Sequence, residues 1–480
     1  MSINPFVAHS NILHRALSDE PYEITSGDRL TLTLSSGRKI LDGSAGPAVS
    51  CLGHNRPDIT AAVVAQMGKI AYVYSGSRFR CEASEALATF LLRNKPGGLV
   101  KAIFVNSGSE ATDAAIKLAT QYWAEKGQPR RRNFIARKQS YHGNTLGALS
   151  VSGHVARRAL YADWVSSNVS FVDPCYAYRG KRSQVDGEIE TDEQYVARLK
   201  QQLEDEFQRL GPDTVAAFFA ETVSGTTLGC LPAVPGYFRA VREVCDKYGA
   251  LLVLDEIMCG MGRTGTMHAW EQEGISGPDI QTIGKGLGGG FVPLSGVLLN
   301  QKIFDGLAHG SKKLMHGHTF QAHPTACAAA LAVQQAIENE HILPNVLSMG
   351  EILSSTLRAQ LSGLPLVGDI RGRGLFWSVE FVTDKKTKAS FDESENFSTR
   401  VVDRSLELGL NLLGNLGNTG EYYVDHVLLS PPYIICEEEI VSIVEILKQA
   451  INDISSEYFS KQELAPASLE PAFRLRTANL

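Results

Sequence analysis

Residues 249–265, GALLVLDEIMCGMGRTG, and, after a polar connector, residues 278–299, PDIQTIGKGLGGGFVPLSGVLL, decide how this chain is read. Leu251 to Leu254 form an apolar run that ends in two carboxylates, Asp255 and Glu256. Such a run is the mark of a buried parallel strand, which delivers its last side chains to the carboxyl edge of its sheet. A second short strand, Ile280 to Ile283, delivers Lys285 into a glycine-rich bend. Gly284, Gly286 and Gly289 also match G-x-G-x-x-G, but that dinucleotide fingerprint requires a helix immediately after it. Phe291, Val292, Pro293 and the apolar residues from Leu294 to Leu299 suit another strand instead. The glycines are better read as room for the backbone around a lysine and its ligand.

A lysine and an aspartate, each at the end of a strand, suggest a cofactor held by its two ends. The amine can form a Schiff base with an aldehyde, and the carboxylate can keep a ring nitrogen protonated. That is the logic of pyridoxal phosphate (PLP). Taken singly, a lysine in a turn and an aspartate capping a helix would explain the same two residues.

The chain has 480 residues, enough for two or three structural units. Its 44% hydrophobic and 20% charged content is that of a globular protein, and a net charge of −6 gives no reason to expect nucleic-acid binding. The one basic run, Arg130 to Arg132, reads as a solvated loop. Eight scattered cysteines without a C-x-x-C pair argue against a disulfide framework and suit a reducing compartment. No stretch approaches the ~18 apolar residues of a membrane span. The first residues lack a signal-peptide core, so a cytoplasmic setting is expected.

Residues 23–42 alternate as small antiparallel strands turning at Ser35-Ser36-Gly37, and 58–70 reads as a helix. Tyr72, Tyr74 and Phe79 follow in a loop with Arg78 and Arg80, aromatics that can wall a substrate pocket. A strand at 102–105 runs into Ser107, Gly108 and Ser109, then a helix with Ile116, Ala119, Tyr122 and Trp123 on one face. Small residues before a helix start expose free N–H groups to an anion, although Ser109 alone would pass for a cap. Phe134 to Ala136 is a strand followed by Tyr141 and His142, an aromatic that can stack on a heterocycle and a hydrogen-bonding neighbour. Residues 173–193 read as a surface excursion, and 192–210 as an amphipathic helix ended by Gly211. Val215 to Ala220 is a buried strand delivering Glu221. His316, His318 and His323 have no carboxylate or cysteine in the sequence pattern to complete a zinc site, so no metal is expected.

Strand–helix alternation from about 100 to 300 predicts an α/β fold with a mostly parallel sheet and helices on both faces. The expected organisation is an N-terminal segment, 1–70, contributing to a small domain. A large cofactor-binding domain over 71–325 follows, then a C-terminal small α+β domain over 326–460 and a tail extension over 461–480.

The arrangement resembles the class III PLP-dependent aminotransferases of fold type I, over about residues 25–450. NSGSEAT at 106–112, YHG at 141–143, ETVSG at 221–225, LDEIMCGMGRTG at 254–265, GKGLGGG at 284–290 and HTFQAHP at 318–324 occur in the family's order. The resemblance implies that Lys285 is the Schiff-base lysine and proton shuttle and that Asp255 partners the pyridine nitrogen. It implies that Ile257 packs on the ring face opposite Tyr141, with His142 beside the ring. Gly108 and Ser109, with Ser107, look like the phosphate cradle, and Thr319 looks like a phosphate ligand donated by a neighbouring subunit. The implied unit is a homodimer with shared sites, and pairing of dimers into tetramers stays open. Glu221 matches a family carboxylate near the substrate side, and Arg371 lies in the RGRG stretch resembling a small-domain motif.

Two departures stand out. Met258 occupies the place of a glutamine that many relatives carry near the cofactor's phenolic oxygen. Residues 411–432 contain no arginine, whereas many relatives place there one that clamps a substrate carboxylate. With Tyr72, Tyr74, Phe79, Glu221 and Trp377 as pocket candidates, the expected substrate is an amine or ω-amino compound with an apolar portion. The expected reaction is transfer of its amino group to a keto acid or aldehyde by a ping-pong cycle. A PLP-dependent aminomutase, racemase or decarboxylase uses the same lysine, aspartate and phosphate loop and is the alternative. A silent scaffold has no need of Lys285, and a nicotinamide dehydrogenase lacks its helix after Gly289.

Overall fold

The computed structural model describes residues 4–76, 78–183, 187–414 and 420–464. At its centre is a seven-stranded sheet in the order Leu99–Val105, Ser295–Asn300, Ile280–Ile283, Leu251–Glu256, Val215–Glu221, Asn133–Arg137, Val169–Val172. Only Ser295–Asn300 runs antiparallel to its neighbours. The other paired strands are parallel. The two strands read from the apolar runs, Leu251–Glu256 and Ile280–Ile283, lie side by side in this sheet. Every residue of Val215–Glu221 and Leu251–Glu256 is buried. That is why these strands are continuous apolar runs with no polar alternation.

The period-2 geometry of the strands divides the core in two. Ala217, Phe219, Leu251, Val253 and Ile280 face the helix Gly108–Glu125, which contributes Ala111, Ala115, Leu118 and Tyr122. Phe218, Ala220, Leu252 and Leu254 face the helices Asp192–Leu210 and Tyr237–Tyr248. The first of these two helices starts with a capping box between Thr191 and Gln194, and Gly249 at φ +68° ends the second.

The N-terminal strands Ile24–Asp28, Thr31–Leu34 and Lys39–Asp42 form an antiparallel meander whose last strand pairs in parallel with Leu410–Asn411. A further antiparallel sheet comprises Val367–Arg373, Phe376–Phe381, Asp425–Leu429 and Leu413–Gly414. One hydrophobic cluster joins Leu30, Cys51, Leu52 and Ile59 to this sheet and to the helices Ile342–Leu361, Phe397–Glu407 and Glu437–Leu464. The last helix passes Lys461, the expected start of a tail, and residues 465–480 lie outside the described residues.

Two local expectations are corrected. Cys175 and Tyr176 are buried, inside what reads as a surface excursion, because the Tyr176 hydroxyl donates to the Glu380 carboxylate of the C-terminal sheet. Arg131 is also buried: its guanidinium donates to the carbonyls of Pro212, Val215 and Tyr248 and lies 4.4 Å over the Trp123 ring. In both cases partners distant in sequence satisfy the polar group, and local composition does not reveal them.

Candidate active site

Strand register assembles the site. Asp255 pairs with Glu221 on one side and with Thr282 on the other. All three stand at the carboxyl edge, on the sheet face that packs against the helix Gly108–Glu125. Glu256, one residue on, points to the opposite face. It is enclosed there by the Thr222 hydroxyl at 2.7 Å, the N–H groups of Ala269 and Trp270 at 2.8 Å each, and the Gln281 amide at 2.9 Å. The two adjacent carboxylates thus have separate tasks: Asp255 faces the site, and Glu256 fixes the loop that returns from it.

Asp255 is 4% exposed. Its Oδ1 accepts from the Ile257 N–H and the Thr282 hydroxyl, both at 3.0 Å, and its Oδ2 lies 2.8 Å from His142 Nδ1. His142 is held by its backbone, donating its N–H to the Ser152 hydroxyl at 2.8 Å and accepting from Thr112 at 2.7 Å. Its Nε2 is buried with no hydrogen-bond partner among the described residues. Glu221 accepts from the Gly225 N–H at 2.9 Å and from Ser224 at 3.2 Å, and its main-chain carbonyl takes the Arg137 guanidinium at 2.6 Å. Burial raises the Glu221 carboxyl above the usual range, against the pull of His142 and Arg137.

Lys285 follows Ile283 by one glycine and has φ +45°, a left-handed conformation uncommon for a side-chain-bearing residue. Burial lowers its ammonium pKa, and the negative charges of Asp255 and Glu221 oppose that shift. The amine therefore lies within the field of both strand-end carboxylates. The residues after it form a 3₁₀ turn, Lys285–Leu287, and then the strand Ser295–Asn300. No helix follows, in keeping with the rejection of the dinucleotide reading.

The expectation of PLP can be tested against this geometry. An anion cradle is present: Ser107 caps the 18-residue helix by accepting from the Glu110 N–H, and the Ser109 hydroxyl accepts from the Asn144 N–H at 2.9 Å. A close approach without side chains is present too. A Cβ on Gly108 would lie 3.0 Å from Ile257 Cγ2, and one on Gly284 would lie 3.1 Å from Ile257 Cδ1. Ile257 thereby touches the helix start and the lysine bend at once. A carboxylate fixed by three donors, a neighbouring buried imidazole with a vacant nitrogen and an amine of lowered pKa complete the set. These residues fit the group.

The remaining candidates divide. Tyr141 is half-buried, with its N–H 3.4 Å from Glu221 Oε2 and the Arg157 guanidinium 4.9 Å over its ring. Thr319 is exposed at the surface of the chain, and its carbonyl accepts from the Tyr72 hydroxyl at 2.9 Å. Tyr72, Tyr74 and Phe79 are 39%, 51% and 65% exposed, and Phe79 lines a cavity of about 570 Å³ with Arg80, Phe104 and Gln321, a lining that does not include Lys285, Asp255 or Glu221. Trp377 is placed in the C-terminal core, 6% exposed, with its indole N–H donating to the Gly374 carbonyl at 2.7 Å. This packing accounts for it without a substrate. Met258 lies beside Gly225, where a Cβ would meet its sulfur at 2.8 Å. Arg371 is buried and engaged by Glu380 at 2.6 Å, Asp369 at 2.7 Å and the carbonyls of Leu228 and Gly229.

Thr282, Arg137 and Glu256 escaped the sequence reading as supports of the site. Thr282 and Arg137 act across strand pairs, so only the register reveals them. His316 and His318 have rings 4.8 Å apart, but no group of three or more ligating residues among the described residues is placed to hold a metal. Among those residues no helix is long and apolar enough to cross a membrane.

The profile of the family described as Aminotransferase class-III matches residues 14–451. An aminotransferase of Gibberella zeae is 45% identical over 448 residues, 92% of this chain and 86% of the relative. An uncharacterized aminotransferase of Schizosaccharomyces pombe is 44% identical over 440 residues, 92% of this chain and 94% of the relative. An amine transaminase from an uncultivated Pseudomonas species, solved in its PLP-bound form, superposes with a TM-score of 0.85 at 30% identity, covering 94% of this chain and 99% of that one.

Proposed function

The chain belongs to the class III aminotransferase family and is an aminotransferase, and on that premise we propose that it uses PLP to take an amino group from an amine or ω-amino donor and pass it to a keto acid or aldehyde. The observation that carries the reading is the shared face of Glu221, Asp255 and Thr282 beside the lowered-pKa amine of Lys285. PLP, when bound, supplies an aldehyde that joins amines and a ring that accepts the electron pair released at the substrate carbon.

The chain's own residues divide the remaining work. Lys285 would hold the aldehyde, and its Nζ, once freed by the incoming donor amine, would be the base that takes the proton from the donor's carbon and passes it to the cofactor's carbon within the half-reaction. Its lowered pKa keeps more of the amine unprotonated than an ordinary lysine would be. Asp255 Oδ2, oriented by the Nδ1–H of His142, offers a negative oxygen for the ring nitrogen. Ile257 and Tyr141 would bracket the ring. The N–H groups at the start of the helix Gly108–Glu125, with Ser107 and Ser109, would hold the phosphate, joined by Thr319 of a second copy in a homodimer. Glu221 lies on the substrate side.

The donor preference rests on charge. Residues 411–432 contain no arginine, and Arg371 is already taken up by two carboxylates and two carbonyls. A charged hydrogen bond to a substrate carboxylate contributes about 1.5–3 kcal/mol, and its absence disfavours α-amino acids relative to amines. The relatives are named as aminotransferases, which does not favour the mutase, racemase or decarboxylase alternative.

The test is the visible absorption of the purified protein with a panel of amines and no acceptor. Bleaching of a yellow band by amines, with little response to α-amino acids, is expected, and Lys285→Ala should lose both the band and turnover. A band that persists while the amine is consumed would overturn the transfer reading, and an α-amino acid as best donor would overturn the substrate class.

A further inference from the structure

The helix that starts at the phosphate cradle carries a polar ridge at every fourth residue: Ser109, Asp113, Lys117, Gln121 and Glu125. Ser109 is at its cradle end. Along the rest of the ridge lies the loop that leads to Thr319. Glu125 accepts from the Ser311 N–H at 2.9 Å and from the Ser311 hydroxyl. One turn up the helix, Gln121 makes a paired contact, donating to the Lys313 carbonyl at 2.7 Å and accepting from the Met315 N–H at 2.8 Å. Further up, Lys117 acts electrostatically on His316, and His318 on the Asp113 carboxylate. The loop then closes a turn in which Gln321 accepts the His318 N–H at 3.0 Å, and Tyr72 holds the Thr319 carbonyl. The side chain of Thr319 is left at the exposed tip.

We propose that Gln121 is a positioning residue for the cofactor phosphate: by gripping the main chain at Lys313 and Met315 it sets the height at which the loop presents Thr319. The inference rests on the reading of Thr319 as a phosphate ligand for a second copy. One helix would then serve two sites, cradling one phosphate at its N-terminus and aiming the ligand for the other from its side. A loop with this many exposed residues has little core to fix it. From Ser311 to Met315 every residue is exposed, so side-chain-to-backbone bonds from a rigid helix are what define its path.

The experiment measures the affinity of the apoprotein for PLP and for phosphate-free pyridoxal in the wild type, Gln121→Ala, Gln121→Glu, Thr319→Val and the double variant Gln121→Ala/Thr319→Val. Gln121→Ala is expected to weaken PLP about tenfold, equal to about 1.4 kcal/mol, and to leave pyridoxal unchanged. Gln121→Glu keeps the acceptor for Met315 and loses the donor to Lys313, so it should fall between the two. The double variant should be no weaker than Thr319→Val alone within about twofold, because both act through one contact. Three results would overturn the inference: PLP affinity unchanged in Gln121→Ala while Thr319→Val loosens it, equal losses for PLP and pyridoxal, or additive losses in the double variant. Thr319→Val binding PLP as the wild type does would overturn the reading of Thr319 itself, and this inference with it.

Discussion

Replacing Asp255 by Asn separates the chemical task of this residue from its structural one. Each carboxylate oxygen accepts two hydrogen bonds. Oδ1 is filled by the Ile257 N–H and the Thr282 hydroxyl, whereas Oδ2 has the His142 Nδ1 contact and one place left for a ring nitrogen. In Asp255→Asn the amide oxygen can keep both partners of Oδ1. The amide nitrogen then faces His142, whose proton must move to Nε2, a buried atom without a partner among the described residues. Loss of the charge-assisted bond costs about 1.5–3 kcal/mol. Loss of the charge beside a ring nitrogen amounts to about 1–3 pKa units, or roughly 1.4–4 kcal/mol. The two overlap, so a barrier increase of about 2–4 kcal/mol is expected, slowing the amine half-reaction by about 30- to 1,000-fold. Folding stability should change by less than about 2 kcal/mol, because most of the hydrogen bonds survive. The assay is a single-turnover measurement of the half-reaction, paired with a urea unfolding midpoint. A folded variant whose half-reaction runs within about threefold of the wild type would refute the role given to Asp255.

Glu256→Gln should destabilise the fold by about 1–3 kcal/mol, since one of the fixed N–H donors of Ala269 and Trp270 would face an amide NH₂. Burial pushes the Glu256 carboxyl up to about 7 from an ordinary 4.5, so the folded state holds this proton more tightly. Its stabilisation is complete below pH 4.5 and is lost as the pH rises to 7. The deficit of the Gln variant in urea should shrink over that window, and a deficit that grows would contradict the assignment. Arg371→Leu leaves Glu380 buried beside Arg179 with one cation fewer and should cost about 3–5 kcal/mol of stability. The visible absorption band should survive in whatever protein folds, and selective loss of the band without loss of stability would place Arg371 in the cofactor site instead.

Much of this protein is legible along the chain, because the relevant signals are local. The apolar runs before Asp255 and Glu221 mark strands buried on both faces. The small residues at 107–109 and Gly211 mark helix ends, and the residues from Phe291 to Leu299 exclude the helix that a dinucleotide site needs. The order of six short motifs was enough to suggest the family, and the matched span of residues 14–451 bears it out. The burial of Arg131 and Tyr176 has one reason: each is explained by partners distant in sequence, which composition cannot supply. The division of labour between Asp255 and Glu256 belongs to the tertiary structure as well. A sequence shows two neighbouring acids at a strand end. Only the pairing of that strand with Val215–Glu221 and Ile280–Ile283 decides which acid joins Glu221 and Thr282. The ridge from Ser109 to Glu125 is likewise written at every fourth residue, but what it holds is not. That is fixed only when a loop some 190 residues away folds back along the helix, since side-chain periodicity is a local property and contact is not.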